Sequence, residues 1–143
     1  MDMSFGKYVG KPVAWVLLED VQYFFWMVDS GLSEKIEIKF ALKLINIFDE
    51  LPFKNVKCHG KCKGENTVTR LSLYNSQYNY QNWFCDKCDP YNNGSFSGKL
   101  TYISKFSHVL YEKDSQTIIK AMASAKGVPQ RKTSKALKEF FGY

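Results

Sequence analysis

The stretches Cys58-His59-Gly60-Lys61-Cys62 and Cys85-Asp86-Lys87-Cys88 contain all four cysteines of this 143-residue chain. Each places two thiols on one short turn, with spacings C-x3-C and C-x2-C, and 22 residues separate the two turns. Zn²⁺ prefers four soft or borderline ligands in tetrahedral geometry, which two such turns can supply. The spacing therefore predicts one zinc site formed by Cys58, Cys62, Cys85 and Cys88. Its role would be structural, because four thiolates leave no open position for a substrate.

The predicted cellular compartment supports the same interpretation of the cysteines. No basic leader followed by an apolar segment opens the chain, and no uncharged stretch approaches the roughly 18 residues that cross a bilayer. We therefore expect a soluble, cytoplasmic protein without a membrane partner. A reducing compartment favours metal ligands over disulfides. Two disulfides, or free or catalytic thiols, are the alternatives to zinc.

His59 offers a second possible ligand set. It could replace Cys58 and give a site of three cysteines and one histidine. With four cysteines available, we favour the interpretation that His59 is solvated or only supports a ligand.

The segment between the two cysteine turns predicts a β-hairpin. Residues 67–74 alternate polar and apolar side chains over most of their length, which is typical of a half-buried strand, and residues 79–84 lead into Cys85 as its partner. A hairpin between two cysteine turns is the arrangement of a zinc ribbon. Asn92-Asn93-Gly94-Ser95 then predicts a loop.

The residues before the ribbon predict a helical module. Residues 13–18 read as a buried apolar segment, and Glu19-Asp20 can open a helix that Gly31 ends. A second helix is expected after Ser33 as its N-cap, running to Pro52. Its apolar stripe is the series Ile36, Phe40, Leu44, Ile47 and Leu51.

Helical periodicity returns in the last third of the chain. Residues 100–110 predict one helix, and a second has Asp114 or Ser115 as its cap and Gly127 as its end. Residues 129–143 predict a short basic helix. The fold class is thus α+β: a small helical module with an inserted β-hairpin zinc ribbon and C-terminal helices. We divide the chain into a turn-and-helix module at 1–53, a zinc-ribbon segment at 54–98 and a basic helical tail at 99–143.

Charge is unevenly distributed along the chain. The net charge is +6, but residues 1–53 carry five lysines against eight acids, or −3, and residues 54–143 carry fifteen basic groups against six acids, or +9. A basic binding surface would therefore lie in the ribbon and the C-terminal part. Eighteen of the basic residues are lysines and two are arginines. This composition suits diffuse attraction to phosphates more than base reading, although a lysine-rich face can also serve only solubility.

Several lysines and aromatic residues are candidates for contact with nucleic acid. Lysines near the cysteines can contact phosphates, or can only compensate the charge of the thiolates. The aromatic residues Tyr74, Tyr78, Tyr80, Trp83 and Tyr91 can stack on unpaired bases, or can only cover the zinc site. The predicted nucleic-acid-binding residues are Lys7, Lys11, Lys61, Lys63, Arg70, Tyr80, Trp83, Lys87, Arg131, Lys132 and Lys135.

The sequence contains none of the following catalytic motifs. It has no phosphate-binding loop of the G-x-x-x-x-G-K-[ST] type, no G-x-S-x-G and no H-E-x-x-H. Its acids lack the clustering of a two-metal nuclease, and neither cysteine pair has the glutamate context of a zinc deaminase. We therefore expect that the protein is not an enzyme.

The segment Phe5-Gly6-Lys7-Tyr8-Val9-Gly10-Lys11-Pro12, with Tyr23 and Trp26 beyond it, resembles a known module. This is the small accessory module at the C-terminus of exodeoxyribonuclease X-like proteins, which also occurs in standalone bacterial and phage proteins. The resemblance covers residues 3–51 and implies a DNA-related context without an activity. It implies a phosphate-facing loop at Gly6, Lys7, Tyr8, Gly10 and Lys11. The alternative is a glycine-bearing turn with Phe5 and Tyr8 packed into the core.

These observations lead to two functional hypotheses. The first is a non-enzymatic zinc-binding protein that binds nucleic acid or a nucleic-acid-processing enzyme. The second is a protein-interaction or inhibitor module, for example a phage or viral accessory factor whose basic face meets an acidic host protein. The richness in Lys, Asn, Tyr, Phe and Ile suggests an A+T-rich coding source such as a low-GC bacterium or its virus.

Overall fold

The computed structural model describes residues 1–89, 100–110 and 112–143. It has the mixed α+β architecture that the sequence predicts, with five α-helices and a three-stranded antiparallel sheet in these ranges. Tyr91 and the loop predicted at residues 92–95 lie outside the described residues. The elements are α1 (Val13–Glu19), α2 (Val21–Asp29), α3 (Ile36–Glu50), β1 (Arg70–Tyr74), β2 (Trp83–Phe84), β3 (Leu100–Ile103), a 3₁₀ helix (Phe106–Val109), α4 (Ser115–Lys126) and α5 (Ser134–Phe141).

Helix α1 lies at the centre of the helical part. Its apolar run is buried at Val13, Ala14, Val16, Leu17 and Leu18, as the sequence predicts. The helix contacts α2, α3, α4 and α5, so little of its circumference faces solvent. A helix that is apolar on most of its surface is stable only when neighbours cover it on several sides. The run therefore specifies the centre around which the other helices pack.

Helix α2 begins as predicted, at the acidic pair Glu19-Asp20, whose first residue ends α1. Asp20 is its N-cap, and the carboxylate of Asp20 accepts a hydrogen bond from the backbone N–H of Tyr23 at 3.2 Å. Gly31 follows the helix with a φ of 80°, a conformation that side-chain-bearing residues rarely adopt. The chain can therefore turn sharply into the approach to α3.

Helix α3 is present, but its buried face differs from the predicted one. The buried apolar residues are Ile38, Ala41, Leu44 and Phe48, whereas Ile36 is 64% exposed. The predicted stripe is therefore confirmed in part, because Leu44 is buried and Phe40 and Ile47 pack against the core, whereas Ile36 lies outside the buried face. The predicted N-cap at Ser33 was wrong, because the helix begins after Lys35 and without a side-chain cap.

The sheet has the strand order β2-β1-β3, and both pairings are antiparallel. The pair β1–β2 is the predicted hairpin, with Leu71 opposite Trp83. In β3, Ile103 lies opposite Leu71, so residues 100–103 form a strand where the sequence predicted a helix. The prediction of one helix over residues 100–110 was wrong. The chain instead forms β3 and then the short 3₁₀ helix.

The C-terminal helices agree more closely with their predictions. Helix α4 begins after Asp114 and ends at Gly127, which has a φ of 101°. The N-cap of α5 is Thr133, whose side chain accepts a hydrogen bond from the backbone N–H of Ala136, and the helix buries Leu137 and Phe141. Within the part of the chain that the structure describes, no helix is long and apolar enough to cross a bilayer.

Two junctions hold the sheet against the helices. In the first, the ring centroids of Phe53 and Trp83 lie 5.1 Å apart, and the backbone N–H of Asn55 donates to the carbonyl of Ala125 at 2.8 Å. In the second, Phe106 of the 3₁₀ helix is buried and donates its backbone N–H to the carboxylate of Asp49 at 2.7 Å. The ribbon is therefore packed onto the helical part and shares its core.

A buried lysine lies at the first of these junctions. Lys126 is 1% exposed, and its ammonium donates a hydrogen bond to the backbone carbonyl of Phe48. The ammonium also lies 4.6 Å from the ring centroid of Phe48 and 4.7 Å from that of Phe53. Burial lowers the pKa of Lys126 to about 8, although the charge of Asp49 opposes this shift.

This shift predicts a rise in stability at alkaline pH. Between pH 8 and 10.5 the unfolded chain holds a proton on Lys126 that the folded chain has lost. The free energy of unfolding therefore gains a contribution from Lys126 that increases over this window. Lys126→Met removes the titrating group. We expect the stability of the wild type relative to this variant to increase from pH 8 to 10 in urea denaturation. A difference that stays constant or decreases would contradict the assignment.

Candidate metal centre

The structure brings the four cysteines together at one end of the hairpin. Their sulfur atoms all lie within 4.8 Å of one another, and none is in a disulfide. Cys58 and Cys85 are buried, and Cys62 and Cys88 are half-buried. Four sulfurs at about 2.3 Å from a tetrahedral zinc ion are separated by about 3.8 Å, so a small contraction of this cluster would complete the shell. The cluster could therefore hold a metal ion.

Backbone hydrogen bonds hold the first cysteine turn against β2. The N–H of His59 donates to the carbonyl of Trp83 at 2.9 Å. The sulfur of Cys58 in turn accepts hydrogen bonds from the N–H groups of Cys85 at 3.3 Å and Gly60 at 3.4 Å. The two turns therefore have a fixed position relative to each other.

Gly60 permits this close approach. A Cβ atom at this position would lie 2.2 Å from the Cβ of Cys88, which is far inside van der Waals contact. Any larger residue would separate the two cysteine turns. The glycine in C-x3-C thus fits a site whose four ligands must converge on one ion.

The hydrogen bonds around the sulfurs favour thiolates at two positions. Burial opposes ionisation of Cys85, but the amide of Asn66, which donates to its sulfur at 3.4 Å, and nearby backbone N–H groups outweigh this and lower its pKa to about 6. The backbone N–H of Asn66 also lowers the pKa of Cys62. The pKa of Cys58 is raised, chiefly by burial. Metal binding supplies the positive charge that lets all four sulfurs ionise together.

A network of ion pairs and hydrogen bonds connects the second cysteine turn to β1. Arg70 forms an ion pair and hydrogen bond with Asp86, and its guanidinium lies 3.8 Å from the carboxylate of Asp89. The hydroxyl of Thr69 donates to Asp86, and that of Ser72 donates to Asp89, both at 2.8 Å. Arg70 is therefore engaged by two acids within the protein, and its role in binding nucleic acid stays a prediction.

Asp89 is a member of this network that the sequence did not predict. Asp89 is buried directly after Cys88, in a position where an acid needs polar partners. Two features of the sequence could have indicated this role. Asp89 directly follows the last cysteine, and Arg70, its partner, is one of only two arginines in the chain. These residues position the turn that carries Cys85 and Cys88.

Three of the predicted lysines surround the cysteine cluster. Lys61 and Lys87, with His59, line an open depression of about 730 Å³ beside Cys88, and Lys63 lies on the same turn as Cys62. All four side chains are exposed. Across residues 1–89, 100–110 and 112–143, no ion pair involves any of these three lysines. Within the same ranges, His59 is not part of the metal-capable cluster.

The aromatic residues of the ribbon divide into buried and exposed groups. Trp83 is 3% exposed and packs on Phe53, so it covers the core and cannot stack on a base; its prediction as a nucleic-acid-binding residue was wrong. Tyr80 is 66% exposed at the hairpin and stays a candidate. Tyr74 is exposed, and Tyr78 is half-buried.

The remaining predicted residues lie away from the cysteines along the chain. Lys7 and Lys11 are exposed on the N-terminal glycine-bearing turn, where their ammonium groups lie 5.1 Å from the ring centroids of Tyr8 and Trp15, respectively. Lys7 also pairs with Asp20 at 3.5 Å.

Three further predicted residues lie near the start of α5. Arg131 and Lys135 are exposed. Lys132 is half-buried and forms an ion pair with Glu19 at 2.8 Å.

Comparison with known proteins adds no family to this description. No protein-family model matches the chain, and neither the curated proteins nor the solved structures that we searched give a match. The candidate site therefore rests on the cysteine cluster and on the charged residues around it.

Proposed function

We propose that Cys58, Cys62, Cys85 and Cys88 bind one Zn²⁺ ion with a structural role. The support is a closed set of four sulfur donors on two turns that hydrogen bonds already join, from the backbone N–H of Cys85 to the sulfur of Cys58 and from the N–H of His59 to the carbonyl of Trp83. Thiolate donors in this geometry favour zinc over the hard cations that prefer oxygen. When bound, the ion cross-links the turn before β1 to the turn after β2. No coordination position is left for a substrate, so the centre organises a surface and does not catalyse.

We further propose that this surface binds nucleic acid, or a nucleic-acid-processing enzyme, without enzymatic activity of its own. The observation that carries the proposal is the group of exposed lysines around the cluster, Lys61, Lys63 and Lys87, which form no ion pair with the described residues. The nearby acid Asp86 is already engaged by Arg70. Exposed lysines that form no ion pair within the described residues can attract phosphates.

Two additional features support a nucleic-acid partner. Tyr80 offers an exposed ring on the ribbon, and stacking of a base on such a ring contributes about 1–3 kcal/mol. The resemblance of residues 3–51 to an accessory module of nuclease-like proteins points to the same context. Because the exposed cations are lysines, the expected contacts are with backbone phosphates more than with base edges.

A triple variant tests the lysine surface directly. In K61Q/K63Q/K87Q we expect weaker binding to single-stranded oligonucleotides and a shallower dependence of log K on log salt. Each lost phosphate contact should reduce the slope by about 0.7, so three should reduce it by about 2. Fluorescence anisotropy over a series of salt concentrations measures both quantities.

The matched control is K35Q/K39Q/K43Q, which removes three exposed lysines from the acidic N-terminal part. This control changes the net charge by the same amount, so it separates a local surface from total charge. Equal losses in the two variants would contradict a binding surface at the metal centre. Undetectable binding of the wild type to DNA and RNA at low salt would exclude the nucleic-acid hypothesis and favour an acidic protein partner for the same lysines.

A further inference from the structure

A second charged site lies where the end of α1 meets α4 and the segment before α5. It is a pocket of about 550 Å³ that contains the side chains of Glu19, Lys120 and Lys132. None of the residues that line this pocket belongs to the cysteine cluster or to the depression beside it. Its volume is in the range of pockets that hold small ligands.

One carboxylate in this pocket is shared by two ammonium groups. The oxygens of Glu19 lie 2.8 Å from the Nζ of Lys132 and 3.2 Å from the Nζ of Lys120. Burial opposes ionisation of Glu19, but the two lysines outweigh it and hold the pKa of Glu19 below its usual value. The three groups together carry a net charge of +1. Each ammonium has three N–H donors, so neither lysine is saturated by this one acceptor.

The other residues that line the pocket are of two kinds, neutral hydrogen-bonding and apolar. Ser124 and Gln130 add neutral hydrogen-bonding groups next to the lysines. Ala123 and Val128, both largely buried, supply the apolar part of the lining. An anionic group could therefore bind at the lysines while an uncharged part of the same molecule packs against the apolar side.

We propose that this pocket binds the phosphate group of a small phosphorylated molecule of nucleotide size. Lys120 and Lys132 contact the phosphate, and Glu19 occupies their ammonium groups when the ligand is absent. Glu19 is thus an internal competitor of the ligand. A phosphate offers more acceptor oxygens than a carboxylate, so it can engage both lysines and a neutral donor at once. The pocket is also larger than a phosphate ion needs, which favours a ligand with an attached sugar or ring.

An NMR titration of the zinc-loaded protein at low salt tests the proposal. The probes are inorganic phosphate, adenosine 5′-monophosphate and unphosphorylated adenosine. We expect saturable amide shifts at residues 120, 124, 130 and 132 with both phosphates, and tighter binding of the nucleotide. Adenosine should give no comparable shifts. Shifts that do not saturate, or that adenosine reproduces, would overturn the proposal.

Two variants with opposite expected effects separate binding from structure. K120Q removes one phosphate contact and should weaken nucleotide binding about tenfold. E19Q removes the competing carboxylate and should strengthen it severalfold, an effect that a merely structural ion pair would not produce. K39Q, which removes a lysine paired with Glu34 outside the pocket, is the control and should leave the affinity unchanged. Weaker binding in E19Q would overturn the role of Glu19 as a competitor.

A comparison of nucleotide with oligonucleotide binding shows whether the phosphate in the pocket belongs to a small molecule or to a nucleic acid. It also tests this proposal separately from the proposed nucleic-acid surface. Nucleotide binding should be unchanged in K61Q/K63Q/K87Q, whatever that variant does to oligonucleotide binding. If a short oligonucleotide shifts the residues of the pocket while inorganic phosphate and the nucleotide do not, the small-ligand proposal fails. If the nucleotide binds and no oligonucleotide does, the pocket stands and the proposed nucleic-acid function fails.

Discussion

Replacing Cys58 with serine is expected to abolish stoichiometric zinc binding and to unfold the ribbon. The cluster provides four sulfurs, and loss of one thiolate leaves an incomplete shell for the ion. Structural zinc contributes about 10–16 kcal/mol of apparent binding free energy in small metal-dependent folds, so its loss is a large fraction of the stability of this region. Elemental analysis should find one zinc per chain in the wild type and far less in the variant. Amide NMR should show collapse of the signals of β1, β2 and the two cysteine turns.

The neighbouring residue His59 supplies the control. Its side chain is exposed and lies outside the sulfur cluster, so His59→Ser should keep both the metal and the fold. A strong chelator added to the wild type should reproduce the effect of Cys58→Ser. Full zinc occupancy in Cys58→Ser, or loss of zinc in His59→Ser, would contradict the four-cysteine site.

Replacing Phe106 with alanine should produce the second large effect. Phe106 is buried on the 3₁₀ helix, and its ring centroid lies 6.1 Å from that of Phe24 and 5.8 Å from those of Phe25 and Phe48. Truncation leaves a cavity between the sheet and the helices, at an expected cost of about 3–5 kcal/mol in the free energy of unfolding. Urea denaturation of the zinc-loaded wild type and variant measures this difference in the free energy of unfolding.

The matched control for Phe106 is Ile36→Ala at the start of α3. The apolar pattern of the sequence assigns Ile36 to the core, but the structure leaves this side chain largely exposed. Its truncation should change the free energy of unfolding by less than about 0.5 kcal/mol. A loss at Ile36 as large as that at Phe106 would show that the predicted stripe, and not the observed one, faces the core.

The cysteine site was predictable because its determinants are local. Two thiols on one short turn point to the same side and can bind one metal ion together. The 22 residues between the two turns are enough for a hairpin that brings the turns together. The pairing of Leu71 with Trp83 follows from that hairpin. The helix ends at Gly31 and Gly127 could also be predicted, because the positive φ that often ends a helix strongly favours glycine.

The sequence predicted the structure wrongly where its apolar pattern fits two arrangements equally well. Helix α3 carries apolar residues on more than one face, and both Ile36 and Ile38 fit a helical stripe. The positions of α1, α5 and the 3₁₀ helix, which all contact α3, select the face with Ile38. Residues 100–103 likewise suit either a short strand or a helix turn, and pairing with β1, about thirty residues earlier, decides for the strand.

The sequence by itself therefore determined the four cysteines that come together, the hairpin between them, the buried run of α1 and the concentration of positive charge after residue 53. These properties depend on residue type and on short spacings. Tertiary structure alone decided which charges are available. It engages Arg70 with two acids, buries Trp83, and brings Lys132 to Glu19 across more than 100 residues. Such contacts are fixed by packing between distant segments, and no local pattern encodes them.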